Sequence, residues 1–228
     1  MAIIEKFNPN QYIQLIERTE IASLQNYILE EKEFISKCLR NGNRDLIDLG
    51  SGYGRLADLL INIGRQKVFI ELNKLMYEAL ASKCSIDKNT RTILGDITTT
   101  DRFEFSNVEN PVFLLCQNTL GVIEGQWIDV LNSVKETLKN DKREIIISFL
   151  KQAALKTEGI KIYGSLSSML GFPNYKKTNF ELGIYHANDD YQAKWWSDIE
   201  IEEIKRILSA VELDRVDGEI FTIIHLKF

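Results

Sequence analysis

The sequence predicts an α/β fold, a doubly wound and mostly parallel sheet with an antiparallel last strand, and three observations carry that prediction. Short continuous apolar runs alternate with longer stretches of helical periodicity between residues 44 and 150. A glycine-rich turn joins the first of these runs to the stretch that follows it, and the chain ends in two strand-like runs around Asp217-Gly218. Continuous apolar strands suit a parallel sheet covered by helices on both faces. Strand followed by helix, repeated, is the doubly wound pattern.

At 228 residues and 44% hydrophobic, the chain can bury one sizeable core, and no shift in composition divides it. We therefore expect a single domain over 1–228: amino-terminal helices in 1–43, a ligand-binding core in 44–150, a lid insertion in 151–197, and a last helix with terminal strands in 198–228.

Residues 8 to 40 place Ile13, Ile16, Leu24, Ile28, Phe34 and Ile35 at helical spacing among charged residues, predicting two amphipathic helices. Asn41-Gly42-Asn43 turns the chain. Strands follow at Leu46–Leu49, Val68–Ile70, Thr92–Leu94, Val112–Cys116 and Ile145–Phe149, with helices near 54–63, 73–84 and 126–139 and a short element around 99–107. After Phe149 the rhythm breaks. The stretch 151–197 is rich in Gly, Tyr, Asn and Lys, with turns at Gly171-Phe172-Pro173-Asn174 and Asn188-Asp189-Asp190. Within it, Phe180–His186 and Tyr191–Trp196 fit a two-stranded antiparallel lid. A helix capped by Ser197 or Asp198 runs to about Ala210, and Leu213–Val216 and Ile220–Lys227 read as strands joined at Asp217-Gly218.

Composition narrows the function. The formal charge is −5 and Lys and Arg are scattered among acids, which argues against nucleic acid as the partner. Cys38, Cys84 and Cys116 lie far apart, and His186 and His225 are the chain's two histidines, so no metal site is expected and a reducing, cytoplasmic setting is. The opening Met1-Ala2-Ile3-Ile4-Glu5-Lys6 leads into no long apolar stretch, and neither a leader nor a membrane span is expected.

The chemistry gathers at strand ends. Asp48 closes the first strand and leads directly into Gly50, Gly52 and Gly54, followed by a helix expected to begin near Arg55. Glycine permits positive φ and close approach of a ligand to the backbone, while a helix amino end offers free N–H groups. Glu71, at the end of the next strand, can accept two hydrogen bonds from vicinal ribose hydroxyls. Asp96, in Gly95-Asp96-Ile97 after the third strand, can meet the exocyclic amine of an adenine, or it can simply cap a turn. Together these positions describe an adenosine-type ligand at the carboxyl ends of successive strands, without saying which one.

The segments Asp48-Leu49-Gly50-Ser51-Gly52-Tyr53-Gly54, Phe69-Ile70-Glu71-Leu72-Asn73, Leu94-Gly95-Asp96-Ile97 and Leu115-Cys116-Gln117-Asn118-Thr119-Leu120-Gly121 resemble the class I S-adenosylmethionine-dependent methyltransferases, over roughly 44–150. The resemblance implies a Rossmann-like fold with S-adenosyl-L-methionine as cofactor and S-adenosyl-L-homocysteine as product. In that reading Asp48, Gly50, Ser51, Gly52 and Gly54 hold the methionine portion, Glu71 with Leu72 the ribose, and Asp96 with Ile97 the adenine. Gln117, Asn118 and Thr119 face the sulfonium. The Asn-Pro-Pro-Tyr type of fourth motif is absent, and Asn118-Thr119-Leu120-Gly121 is similar to the form in several small-molecule and amino-acid N-methyltransferases. A small-molecule amine is the acceptor this implies, a peptide or protein the alternative.

Methyl transfer from a sulfonium asks mainly for alignment and exclusion of water. A base for an amine acceptor, if one is used, would come from the lid: His186, Tyr185 or Tyr163. Arg55 can meet a carboxylate or stay solvated, Tyr12 and Tyr27 can close over the cofactor or pack, and of Trp195 and Trp196 one can line the pocket while the other packs. An NAD-dependent oxidoreductase would share the glycine turn and Glu71 without calling for Asp96 in its place. A non-catalytic S-adenosylmethionine-binding protein would keep all the cofactor positions, and an aminopropyltransferase would want a second acidic cluster that is not seen.

Overall fold

The computed structural model describes residues 8–40, 44–123, 126–138, 142–164, 177–186 and 191–228. Five short strands make the parallel part of the sheet, nearly all of them buried: β1 (Leu46–Leu49), β2 (Lys67–Glu71), β3 (Thr90–Leu94), β4 (Val112–Leu115) and β5 (Glu144–Leu150). β3, at the sheet edge, is the exception, with its residues half-buried or exposed. Side chains of β1, β2, β4 and β5 enter two apolar clusters, one on each face of the sheet, which is why these strands lack polar alternation.

The preceding chain forms α1 (Pro9–Ile16), capped by Asn8, and α2 (Ala22–Leu39). Between the strands lie α3 (Ala57–Ile63), α4 (Lys74–Cys84) with Asn73 as its cap, and α5 (Trp127–Glu136). α3 starts later than the sequence suggests because residues 52–56 are spent on turns that complete the glycine loop. The short element expected around 99–107 is a 3₁₀ turn at Ile97–Arg102, begun by Asp96.

After β5 come a 3₁₀ turn (Gln152–Ala154), a π turn (Leu155–Gly159) and a small antiparallel pair, β6 (Ile184–His186) with β7 (Gln192–Lys194). The pair is the expected lid ribbon, shorter than the apolar runs. The expected turns at 41–43, 171–174 and 188–190 lie outside the described residues. Ser197 caps α6 (Asp198–Leu208) through a full capping box with Glu200, an arrangement worth ~1 kcal/mol. The chain closes with β8 (Val211–Asp217) and β9 (Phe221–Lys227).

The seven-stranded sheet runs β3-β2-β1-β4-β5-β9-β8. Neighbours from β3 to β5 are parallel, and β9 is antiparallel to both β5 and β8. Strand order reverses between β1 and β4, the switch point outside whose carboxyl ends open α/β sheets bind ligands. Among the described residues no helix is long and apolar enough to cross a membrane.

Candidate active site

A cavity of about 430 Å³ sits at that switch point, walled by residues from the ends of β1, β2, β3 and β4. The glycine turn forms its floor. The N–H groups of Gly50 and Ser51 both donate to the Ile70 carbonyl, at 2.9 and 3.0 Å, and the Ser51 hydroxyl donates to the Asp48 carbonyl at 2.9 Å. All three glycines have positive φ, +73°, +57° and +81° for Gly50, Gly52 and Gly54. Their surroundings differ. A Cβ on Gly52 would meet nothing within 4 Å, whereas one on Gly54 would press on Leu80 Cδ1 at 2.9 Å. Gly52 faces open space and lines the cavity; Gly54 packs the turn against α4 and does not.

Glu71 is buried, and its carboxylate accepts from Gly52 N–H and Asn73 N–H, each at 2.7 Å. Burial raises its pKa, and these N–H donors work in the opposite direction. Asp48 is also buried, and desolvation pushes its carboxyl up to about 7 against the opposing charge of Arg55. Asp96 caps the 3₁₀ turn, its side chain accepting from Thr98 N–H at 2.9 Å, and it also lines the cavity beside Ile97. Leu72 lies on the same wall.

Beyond β4 the chain makes a tight turn in which Gln117 and Asn118 both adopt left-handed backbone, φ +55° and +58°. Cys116, Gln117 and Thr119 line the cavity, and the Thr119 hydroxyl donates to the Cys116 carbonyl at 2.6 Å. Asn118 does not line it. Its side chain turns inward, donating to the Lys194 carbonyl at 2.9 Å and accepting from Trp196 Nε1 at 3.0 Å and Leu150 N–H at 3.3 Å. A polar side chain expected at the ligand instead fastens the lid strand to the sheet.

Arg55 is not solvated, and its buried Nη1 has no hydrogen-bond partner among the described residues. It lines the cavity yet is only 6% exposed, ion-paired with Glu31 of α2, with its Nε donating to Gln117 Oε1 at 2.9 Å. Glu31 is fully buried and accepts Gln117 N–H at 2.7 Å as well as the Ser148 hydroxyl. Tyr27 packs in this layer, its hydroxyl donating to Glu31 at 3.1 Å and lying 2.8 Å from Ser148 Oγ, and it does not reach the cavity.

The roof comes from Tyr12 of α1 and from Tyr191 and Gln192 at the start of β7. Burial raises the pKa of both phenols, so each is held as a neutral hydroxyl near neutrality. Tyr185 and His186 do not line the cavity; the Tyr185 ring is buried, stacked 4.0 Å from that of Tyr163. Tyr163 in turn accepts from Trp195 Nε1 at 3.0 Å and is not on the cavity wall either. Trp195 and Trp196 enter opposite clusters, as alternation on a strand dictates, and neither borders the cavity.

Sequence reasoning missed Asn73, Met76, Val122, Ile123, Gln126 and Gln192 on the wall, and Glu31 behind it. Asn73 closes the segment that ends β2, and the other wall residues carry no motif. Glu31 did leave a signal: it occupies a core position of the α2 stripe that includes Leu24, Ile28 and Ile35, where a carboxylate stays only with a partner.

No family model matches this chain, and no curated protein does. Solved structures do. An S-adenosylmethionine-dependent methyltransferase from Clostridium acetobutylicum ATCC 824 superposes with a TM-score of 0.63 at 16% identity, covering 96% of this chain and 97% of that one. The 1,6-didemethyltoxoflavin-N1-methyltransferase of Burkholderia thailandensis, with bound 1,6-didemethyltoxoflavin and S-adenosylhomocysteine, gives 0.62 at 12%, covering 96% and 86%. Magnesium protoporphyrin IX methyltransferase from Synechocystis PCC 6803, with bound S-adenosylhomocysteine, gives 0.59 at 11%, covering 96% and 92%. At such identities the likeness is one of fold.

Proposed function

On the premise that the chain has the Rossmann-like fold of the class I S-adenosylmethionine-dependent methyltransferases, we propose that it is such an enzyme, transferring the methyl group to a small-molecule nucleophile, an amine nitrogen. One observation carries the cofactor reading. Gly52, Glu71, Asp96 and, from the turn after β4, Cys116, Gln117 and Thr119 line a single cavity at four strand ends. The donor set fits the group: open space over Gly52 for the methionine portion, a pre-oriented carboxylate for the ribose diol, and Asp96 with Ile97 for the adenine.

When bound, the cofactor supplies an electrophilic methyl on a positively charged sulfur. The chain's own contribution is to bind, orient and exclude water. Glu71 and Asp96 outnumber Arg55, the one cation among the described wall residues and itself paired with Glu31, which favours a cationic ligand. Tyr12 and Tyr191 close the roof with large, largely apolar surfaces, keeping water from the reacting centre. Gln117 and Thr119 stand at the tip of β4, where an acceptor would be aligned. Burial holds the Tyr12 and Tyr191 phenols protonated, and Tyr163, Tyr185 and His186 stand off the wall, so none of these five side chains is placed to take a proton from the acceptor.

Calorimetric titration of the purified protein with S-adenosylmethionine, S-adenosylhomocysteine and NAD tests this function. Saturable binding of the two sulfur nucleosides is expected. Binding of NAD with no response to either would overturn it. Radiolabelled methyl transfer to a panel of amines, measured against peptide substrates, decides the acceptor class.

A further inference from the structure

Gln117 and Asn118 hold positive φ in succession, a conformation that residues with side chains keep only where the surroundings over-determine it. At Gln117 the constraint is a closed ring of three residues from three parts of the chain. Glu31 on α2 accepts the Gln117 N–H at 2.7 Å, the Gln117 side-chain oxygen accepts Arg55 Nε at 2.9 Å, and Arg55 pairs back to Glu31. Gln117 and Arg55 line the cavity, and Glu31, fully buried, stands behind both without reaching it.

We propose that Glu31 is a positioning residue of the cofactor site, fixing the turn after β4 and the residue after the glycine turn in one geometry, and thereby making α2 part of the binding machinery. The inference rests on the cofactor assignment above. A carboxylate is the group that can do this, because one oxygen takes the Gln117 amide while the other neutralises a guanidinium buried at 6% exposure. Remove the carboxylate, and the left-handed turn loses its hydrogen-bond acceptor while Arg55 becomes an unpaired buried cation free to swing into the cavity. Neither change requires the fold to fail, since Glu31 lies on one helix and the sheet registers do not pass through it.

The test measures S-adenosylhomocysteine affinity by calorimetry, with melting temperature alongside, for the wild type, Glu31→Gln, Glu31→Leu and Ile204→Val. Ile204 is fully buried on α6, away from the cavity wall, and reports how far affinity follows stability alone. Glu31→Leu is expected to bind at least 30-fold more weakly than wild type. Glu31→Gln keeps an oxygen for the Gln117 amide and recovers part of that loss, remaining five- to tenfold weaker, while Ile204→Val melts lower with affinity within twofold. The proposal is overturned if Glu31→Gln binds within threefold of wild type, or if affinity across all four proteins tracks melting temperature. Should Glu31→Leu not fold, Glu31→Gln decides by the same threshold. Wild type that ignores S-adenosylhomocysteine sinks the cofactor reading and this inference with it; wild type that binds, with no dependence on Glu31, sinks this inference alone.

Discussion

The Gly52 amide donates to the Glu71 carboxylate at 2.7 Å, tying the middle of the glycine turn to the end of β2. Two features of the cavity wall, 19 positions apart in sequence, are thus one hydrogen-bonded unit. A carboxylate has about four lone-pair positions, and the backbone N–H groups of Gly52, Asn73 and Leu72 already point at Glu71, which leaves capacity for a further donor from a ribose diol.

Replacing Glu71 should therefore act twice. Glu71→Ala is expected to weaken S-adenosylhomocysteine binding by ~1–3 kcal/mol for lost hydrogen bonds, and more if the turn loosens without its anchor. Glu71→Gln keeps an acceptor for Gly52 and should lose less. Calorimetric affinities equal to wild type in both variants would refute the ribose assignment.

Asp48 makes stability depend on pH. Its folded pKa of about 7 lies above the ordinary 3.8, so between those values the folded chain keeps a proton that the unfolded chain releases. The resulting stabilisation is complete below about pH 4 and is lost as pH rises through about 7. Urea unfolding should show wild type losing up to roughly 4 kcal/mol relative to Asp48→Asn between pH 4 and pH 8. Parallel curves for the two proteins would show that Asp48 is ionised throughout.

The glycines of the turn should separate by what a methyl group would meet. Gly52→Ala projects into open space and pays only left-handed strain, ~1–2 kcal/mol, while intruding on the ligand. Gly54→Ala adds a contact with Leu80 to similar strain and should destabilise more. The expected result is a stability loss ordered Gly54→Ala above Gly52→Ala, with melting curves as the measure. In Gly52→Ala the larger relative effect should be on S-adenosylhomocysteine affinity.

Asn118→Ala should unfasten the lid strand. It strands the buried indole N–H of Trp196 and the Lys194 carbonyl, at ~1–3 kcal/mol for each group left without a partner. A lower urea midpoint with an unchanged slope is expected. So is faster proteolytic cutting near β7 than in wild type, and a variant as stable and as resistant as wild type would contradict the fastening role.

Much of the fold was legible because its signals are local. The buried strands β1, β2, β4 and β5 announce themselves as continuous apolar runs, the capping box at Ser197 and Glu200 starts α6 where expected, and the residues around Asp217-Gly218 join β8 to β9. Glu71 and Asp96 could be placed at the cavity because strand ends in a parallel sheet all open on one edge. Side-chain direction could not. Asn118 and Thr119 are neighbours, and a left-handed φ at Asn118 sends one inward to Trp196 while the other lines the cavity.

The sequence by itself determined the doubly wound α/β architecture and which strand ends carry the polar and glycine residues of the cavity, because periodicity, capping and glycine spacing are properties of adjacent residues. Only the tertiary structure decided which of those residues line that cavity. Arg55, expected in solvent or on a carboxylate, is claimed by Glu31 from a helix 24 positions earlier. Tyr185, expected as a base, is stacked on Tyr163 away from the cavity, while Tyr12 of α1 and Tyr191, just before β7, line it. Such assignments depend on which distant side chain satisfies a buried charge or fills a layer of the core, and that partner is chosen only when the chain packs.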